Sequence, residues 1–257
     1  MKITPLASGS SGNAFLIEGN DSAILADAGL SGKQMQERLA KVGFDPAALD
    51  GIIVSHGHSD HTKGVGVLSR KFKIPVWMNR GTWKAAEGSL GRLYCLEFFE
   101  TGRVFQLGAF RIHPFSVPHD CVDPVGFRIS VGTCRLGIAT DLGTVTGLVT
   151  TLLTDLQVVA LESNHDPIML RDGPYPWELK QRVRGRLGHL SNHDSAYLLE
   201  RIFSDELQAV ILAHMSEINN RAELALGCAR ESLRELLDHQ GTICCASQDE
   251  VGPTIEW

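Results

Sequence analysis

The chain has 257 residues, of which 43% are hydrophobic and 21% charged, a globular composition with enough apolar material for a sizeable core. Its net charge of −6 excludes a uniformly basic nucleic-acid binder, but not a local basic groove or a metal site that supplies positive charge itself. No segment approaches the ~20 apolar residues of a membrane span, and Met1-Lys2-Ile3-Thr4-Pro5 lacks the apolar stretch of a signal peptide. The expectation is a cytoplasmic protein with no membrane partner, forming one domain over residues 1–257.

In chain order, residues 14–17 and 22–26 are short apolar runs around the turn Gly19-Asn20-Asp21 and read as strands. Residues 31–42 place Met35, Leu39 and Val42 at helical spacing and stop at Gly43. A buried strand is predicted over 51–54, a helix over 63–72 ending before Pro75, and a strand over 76–78. Strands are predicted again at 110–117, 125–131 and 134–140, the last two joined by the turn Gly132-Thr133. The second half alternates: strands at 156–161, 209–212 and 242–246, helices at 194–203 and 221–237. Mixed sheets with helices outside give a layered α/β architecture.

Directly after the strand at 51–54 comes Ser55-His56-Gly57-His58-Ser59-Asp60-His61. Neutral imidazoles bind borderline metals, and a carboxylate beside them adds a harder donor. So dense a set at a strand end is hard to account for as core. Three more donors end predicted strands: His119, Asp141 and His214. Each alone is weak, since an Asp after a strand is commonly a helix N-cap. Together the four segments bring donors to one sheet edge. None of the six cysteines has Cys-x-x-Cys spacing, so reduced, buried thiols are expected. Cys121, two residues after His119, is expected to pack rather than to ligate.

The order H-x-H-x-D-H, then a His, an Asp and a late His at strand ends, resembles the metallo-β-lactamase superfamily over essentially the whole chain. That resemblance implies a four-layer αββα sandwich with a two-metal site at one edge. It implies His56, His58 and His119 at the first metal, Asp60, His61 and His214 at the second, and Asp141 bridging both. Asp141 stands where classical β-lactamases carry Cys, and His58 where flavodiiron proteins carry Glu. Glyoxalase-type thioesterases share the ligand set. Three stretches look more like the RNase Z-like phosphodiesterase branch: Glu162-Ser163-Asn164-His165-Asp166, Gly188-His189-Leu190-Ser191-Asn192 and Ala213-His214-Met215-Ser216; together with the opening Ser8-Gly9-Ser10-Ser11-Gly12-Asn13 they most resemble its YycJ/WalJ-like subgroup. Members of that subgroup are regarded as DNA exonucleases.

The implied reaction is phosphodiester hydrolysis, with two divalent metals generating hydroxide at neutral pH and stabilising charge on the phosphoryl oxygens. Zn2+ suits the His-rich set best, with Mn2+ or Fe as alternatives. Asp60 is expected to orient the nucleophile or take its proton, and His189 to stabilise or protonate the leaving oxygen. Substrate contacts are expected from Ser11, Asn13, Glu162, His165, Arg182, Arg184 and Asn192. For Glu162, support of a metal ligand is the stronger reading of its place at a strand end. The small residues of 8–13 would let main-chain N–H groups approach a phosphate. Lys180, Arg182, Arg184 and Arg186 form a basic run suited to a DNA backbone. Trp177 and Tyr175 beside it are expected to pack, with base stacking as the alternative, and His113, His193 and His239 are assigned to structure or surface. The competing readings are an RNA-processing nuclease, a thioester or lactone hydrolase on the same metals, and a non-catalytic protein on a retained scaffold.

Overall fold

The computed structural model describes residues 1–233 and 241–257. One sheet runs through β1 (Lys2–Ala7), β2 (Ala14–Gly19), β3 (Ser22–Ala26), β4 (Gly51–Ile53), β5 (Pro75–Met78) and β6 (Cys95–Phe98) in spatial order. The other runs through β7 (Phe105–Leu107), β8 (Phe110–Ser116), β9 (Val125–Val131), β10 (Cys134–Ala139), β11 (Val158–Glu162), β12 (Ala209–Ala213) and β13 (Thr242–Cys245). The last strand, β14 (Ile255–Glu256), returns to pair antiparallel with β1. Helices α1 (Gly32–Lys41), α2 (Ser59–Thr62), α3 (Val65–Phe72) and α4 (Arg80–Leu90) connect the parallel strands of the first sheet. In the second sheet α5 (Gly147–Leu153), α6 (Pro167–Asp172), α7 (Trp177–Val183), α8 (Asn192–Ile202) and α9 (Ala222–Ser232) do the same.

Both sheets are mixed. β1, β2 and β3 pair antiparallel and β3 to β6 parallel; β7 to β10 pair antiparallel and β10 to β13 parallel. Two successive antiparallel steps restore direction. β1 therefore runs with β3 and β4, and β8 runs with β10, β11 and β12, so the C-terminal ends of all seven open on one edge.

Strand alternation builds the layers. Ile17, Ile24 and Ile53 of the first sheet meet Phe110, Ile112, Phe127, Ile129, Ile138 and Ile211 of the second in a buried core between the sheets. The opposite face of the first sheet buries Leu16, Leu25, Ile52 and Val76 against Met35 and Leu39 of α1 and Leu68 of α3. That of the second buries Val159, Leu161, Val210 and Leu212 against Val149, Leu198, Leu199 and Ala225. The order helices, sheet, sheet, helices is the expected αββα sandwich.

Several expected elements shift. The helix predicted over 63–72 is α3, which begins at Val65, and an unpredicted helical turn, α2, precedes it; the two are separated at Gly64, where a Cβ would lie 2.5 Å from the Leu30 carbonyl oxygen. Asp60 and His61 thus sit on a helical turn. The helix expected at 194–203 begins two residues earlier, because Ser191 caps it in a box closed by Asp194. Strand β1 and helix α4 had no counterpart in the sequence reading: Pro5 interrupts the first, and Gly81 and Gly88 dilute the second. Of the helix expected over 221–237, α9 accounts for 222–232, and 234–237 lie outside the described residues, as does His239. No helix among the described residues is long and apolar enough to cross a membrane.

Candidate metal centre

The loops at this common edge carry the titratable residues. Three of them leave their strands with left-handed main chain at a non-glycine residue: Asp27 (φ 62°) after β3, Asp141 (φ 55°) after β10 and His214 (φ 52°) after β12. Such conformations cost about 1–3 kcal/mol each and are kept where the surroundings fix them.

His56, His58 and His119 form the first cluster. His56 Nε2 lies 3.1 Å from His58 Nδ1, which lies 3.4 Å from His119 Nε2. Four ligands placed tetrahedrally at the usual 2.0–2.1 Å from zinc would be about 3.3–3.4 Å apart. The nitrogens therefore stand at the spacing of ligands around one ion, and they fit it. Burial lowers the pKa of His56 and of His58, which keeps both imidazoles neutral.

Asp60, His61, Asp141 and His214 form the second cluster, with donor atoms within 4.8 Å of one another. His61 Nε2 lies 3.0 Å from Asp141 Oδ2, and His214 Nε2 lies 3.6 Å from both Asp60 Oδ2 and Asp141 Oδ1. Asp141 Oδ1 is also 3.6 Å from His119 Nε2, which puts this carboxylate between the clusters. The buried His214 Nε2 has no hydrogen-bond partner, as expected of an atom aimed at a cation.

The other nitrogen of each ring shows why. His61 Nδ1 donates to Asp27 Oδ2 (2.8 Å), His119 Nδ1 to the Gly188 carbonyl (3.1 Å) and His214 Nδ1 to Glu162 Oε1 (2.9 Å). The Ser55 hydroxyl donates to Asp27 Oδ2 (2.8 Å) and lies 3.0 Å from His56 Nδ1. A proton held on Nδ1 leaves the Nε2 lone pair for a metal. His189 is oriented the same way, with Nδ1 2.8 Å from Glu162 Oε1. Burial opposes charge on His61 and His214, yet the surrounding carboxylates win and raise both; His214 is pushed up to about 10. Burial likewise opposes the Asp60 and Asp141 carboxylates, but the histidines around them hold both pKa values down.

Residues 7–153 match the model of the metallo-beta-lactamase superfamily. The chain belongs to the metallo-beta-lactamase superfamily. It is 40% identical over 228 residues to exodeoxyribonuclease WalJ of Streptococcus pneumoniae, covering 87% of this chain and 85% of that protein. It is 36% identical over 238 residues to exodeoxyribonuclease YycJ of Bacillus anthracis, covering 92% and 89%. In fold it is similar to the metallo-beta-lactamase fold protein YhfI of Bacillus subtilis, with a TM-score of 0.76 at 17% identity over 99% of each chain.

Around this metallo-beta-lactamase centre, several residues expected to touch substrate are placed elsewhere. Glu162 is fully buried and accepts from His189, His214, Leu142 N and Leu190 N, so it positions two histidines instead. Asn192 is buried between Ser163 and Asn220. Asn13 is buried, with Nδ2 3.1 Å from His61 Nε2. The loop at 8–13 is no anion cradle: the N–H groups of Ser8, Gly9, Ser11, Gly12 and Asn13 are taken by Ser247, Asn13, Gln248, Gly9 and Asp60. Ser11 itself is exposed.

Arg182 and Arg184 are exposed. Arg182 Nε donates to Asp120 Oδ2 (2.6 Å), and Asp120 Oδ1 lies 3.4 Å from His119 Nε2. Arg184 stands over the Trp177 ring at 5.3 Å. Trp177 is 64% exposed, which overturns packing as its role, and Tyr175 is half-buried. His165 is buried without a partner for Nδ1. His113 holds the Gly102 carbonyl, and His193 is exposed on α8.

The sequence reading missed Asp27 and Asp120. Asp27 follows a strand as Asp141 does, which was the available signal. Cys121 stands beside the centre: its sulfur lies within 4.8 Å of the first cluster's nitrogens, while burial and nearby carboxylates push the thiol up to about 12. All six cysteines are free and half-buried.

Proposed function

We propose that this chain is a metal-dependent phosphodiesterase that degrades DNA as an exonuclease. Two donor clusters sharing Asp141, with His189 poised beside them on Glu162, carry the reading. The substrate class rests on the similarity to proteins named exodeoxyribonucleases over most of the chain. His56, His58 and His119 would hold one divalent ion, Asp60, His61 and His214 a second, and Asp141 would bridge them. Zinc is the ion we infer for the three-imidazole cluster, while the carboxylate-richer cluster also suits manganese or iron. Ions bound there supply an activated water and stabilise charge on the phosphoryl oxygens.

The chain's own residues do the rest. The Asp60 carboxylate, with 19% of its side chain exposed and held ionised by His214 and His61, accepts a hydrogen bond that orients the attacking water. His189 is 20% exposed, and Glu162 outweighs the burial that would lower its pKa, so the imidazolium donates to the leaving oxygen. Glu162 fixes its ring. Arg182 and Arg184 meet phosphates along the strand.

The test is to measure bound metal and incubate the protein with 5′- and 3′-labelled single- and double-stranded DNA. Metal-dependent degradation is expected, abolished in Asp60→Ala, and reduced roughly 100-fold or more in His189→Ala with both metals retained. Two bound metals with no action on DNA would overturn the DNA assignment. Metal loss in His189→Ala would overturn its role.

A further inference from the structure

Beside the His189 loop lies a cavity of about 300 Å3 that the reaction described so far does not use. Pro167, Ile168 and Leu170 from the start of α6 give it an apolar floor, and the exposed Trp177 ring at the start of α7 forms a wall. Its rim carries Lys180 and Arg184, and no carboxylate lines it. Neither of these cations closes an ion pair among the described residues: Lys180 Nζ donates to the Arg171 carbonyl, and Arg184 to Gln181 Oε1. In a chain of net charge −6, two such cations over an apolar slot suit a ligand with a flat apolar body and an anionic group.

His165 supplies the polar contact. It lines the same cavity, is 3% exposed, and its Nδ1 has no hydrogen-bond partner. A buried polar atom without a partner is costly unless something else satisfies it. Burial drives this ring down to about 4, so at neutral pH it acts as a neutral donor or acceptor rather than a cation. His165 is also tied to the reacting edge. It stands three residues after Glu162, pairs with Ser191, and its carbonyl accepts from Asn192 N. The cavity is therefore built on the same loops that carry Glu162 and lead from His189 into α8.

We propose that this cavity is a nucleobase subsite. It takes the base of a nucleotide flanking the scissile bond, stacked on Trp177 and hydrogen-bonded to His165, with the adjoining phosphate at Lys180 and Arg184. This rests on the nucleic-acid reading above. A stacking wall and a neutral imidazole accept any base, so the subsite grips without reading sequence.

The test uses metal-loaded protein titrated with a deoxynucleoside 5′-monophosphate and, separately, with deoxyribose 5-phosphate, following tryptophan emission and calorimetric heat. Both probes carry the phosphate, so their difference isolates the base. The wild type should bind the nucleotide about fivefold or more tightly than the sugar phosphate. In Trp177→Leu that preference and the quenching should both disappear. Trp177 is exposed enough to be replaced without opening the core, and thermal melting of the variant checks this. Equal binding of the two probes by the wild type overturns the subsite, as does a base preference that survives in Trp177→Leu. Protein that prefers the nucleotide yet leaves DNA intact keeps the subsite and sinks the nuclease. Protein that degrades DNA but binds both probes equally keeps the nuclease and sinks the subsite.

Discussion

The Glu162 carboxylate accepts four hydrogen bonds, from Nδ1 of His189 and His214 and from the N–H groups of Leu142 and Leu190. Its two oxygens thus set the tautomer of one candidate ligand and one candidate acid. Burial opposes the charge, but the two histidines beat it and bring its pKa down to about 2. In Glu162→Gln the amide nitrogen would oppose either the ring N–H groups or the main-chain ones, leaving buried donors face to face. Metal affinity should fall about 10–100-fold, with turnover following, as when the partner of a metal-bound histidine is lost. Competition with a chromophoric chelator reads the first and DNA degradation the second. The same electrostatics fixes a pH dependence. In metal-free protein His214 is raised to about 10, so at neutral pH its site holds a proton that metal must displace. Apparent metal affinity should therefore climb with pH up to about 10, and calorimetry in buffers of different ionisation heat should show proton release. Affinity that is flat between about pH 6.5 and 8.5 would contradict this. The candidate ligands were legible because each ends an apolar run or lies in one dense motif. Asp27 and Asp120 were not read: Asp27 carried only the weak signal of a carboxylate after a strand, and Asp120, beside a histidine, had none until the fold showed its partners.

At the scale of elements, the motif after β4 is held by two neighbouring loops. Asn13 N donates to the Asp60 carbonyl at 2.7 Å, and Gly29 N donates to the Asn13 carbonyl at 2.9 Å. The main chain of Gly29 runs so close to α2 that a Cβ there would lie 1.6 Å from the Asp60 carbonyl oxygen. No side-chain adjustment relieves a clash with main chain. Gly29→Ala should cost about 3 kcal/mol or more, at the upper end of overpacking, and should weaken metal binding because Asp60 and His61 are displaced with α2. Denaturant unfolding and metal content together check it. A variant with native stability and both metals would show that the loops yield more easily than the contacts imply. Elements were legible where period and boundary agreed, as in α1 with its Ser31 cap and apolar Met35 and Leu39. They were lost where composition disguised the period, as with Pro5 in β1 or Gly81 and Gly88 in α4. The α2–α3 break depends on how close Leu30 comes to Gly64, a contact made only in three dimensions.

Across the whole molecule, the candidate centre lies where the two sheets meet, and each supplies part of it. His56, His58, Asp60 and His61 follow β4 of the first sheet; His119, Asp141 and His214 follow β8, β10 and β12 of the second. Each cluster draws on both, His119 joining residues of the first sheet and His61 joining residues of the second. Ions bound there would tie the sheets at their functional edge, adding to the apolar core between them. Without ions, His214 Nε2 stays buried with no hydrogen-bond partner, a cost to the metal-free fold. Metal that binds only the folded chain stabilises it by RT ln(1 + [L]/Kd), about 4 kcal/mol at a thousandfold excess over Kd. For a chain of this size that is a shift in melting temperature on the order of 10 °C. Chelation followed by dialysis should lower the melting temperature by about that much, and adding the metal back should restore it. In His119→Ala, which removes the second sheet's donor to the first cluster, the restored increment should shrink. A melting temperature indifferent to metal would mean that the folded chain binds the ions no better than the unfolded one, which would overturn the assignment of these clusters as metal sites.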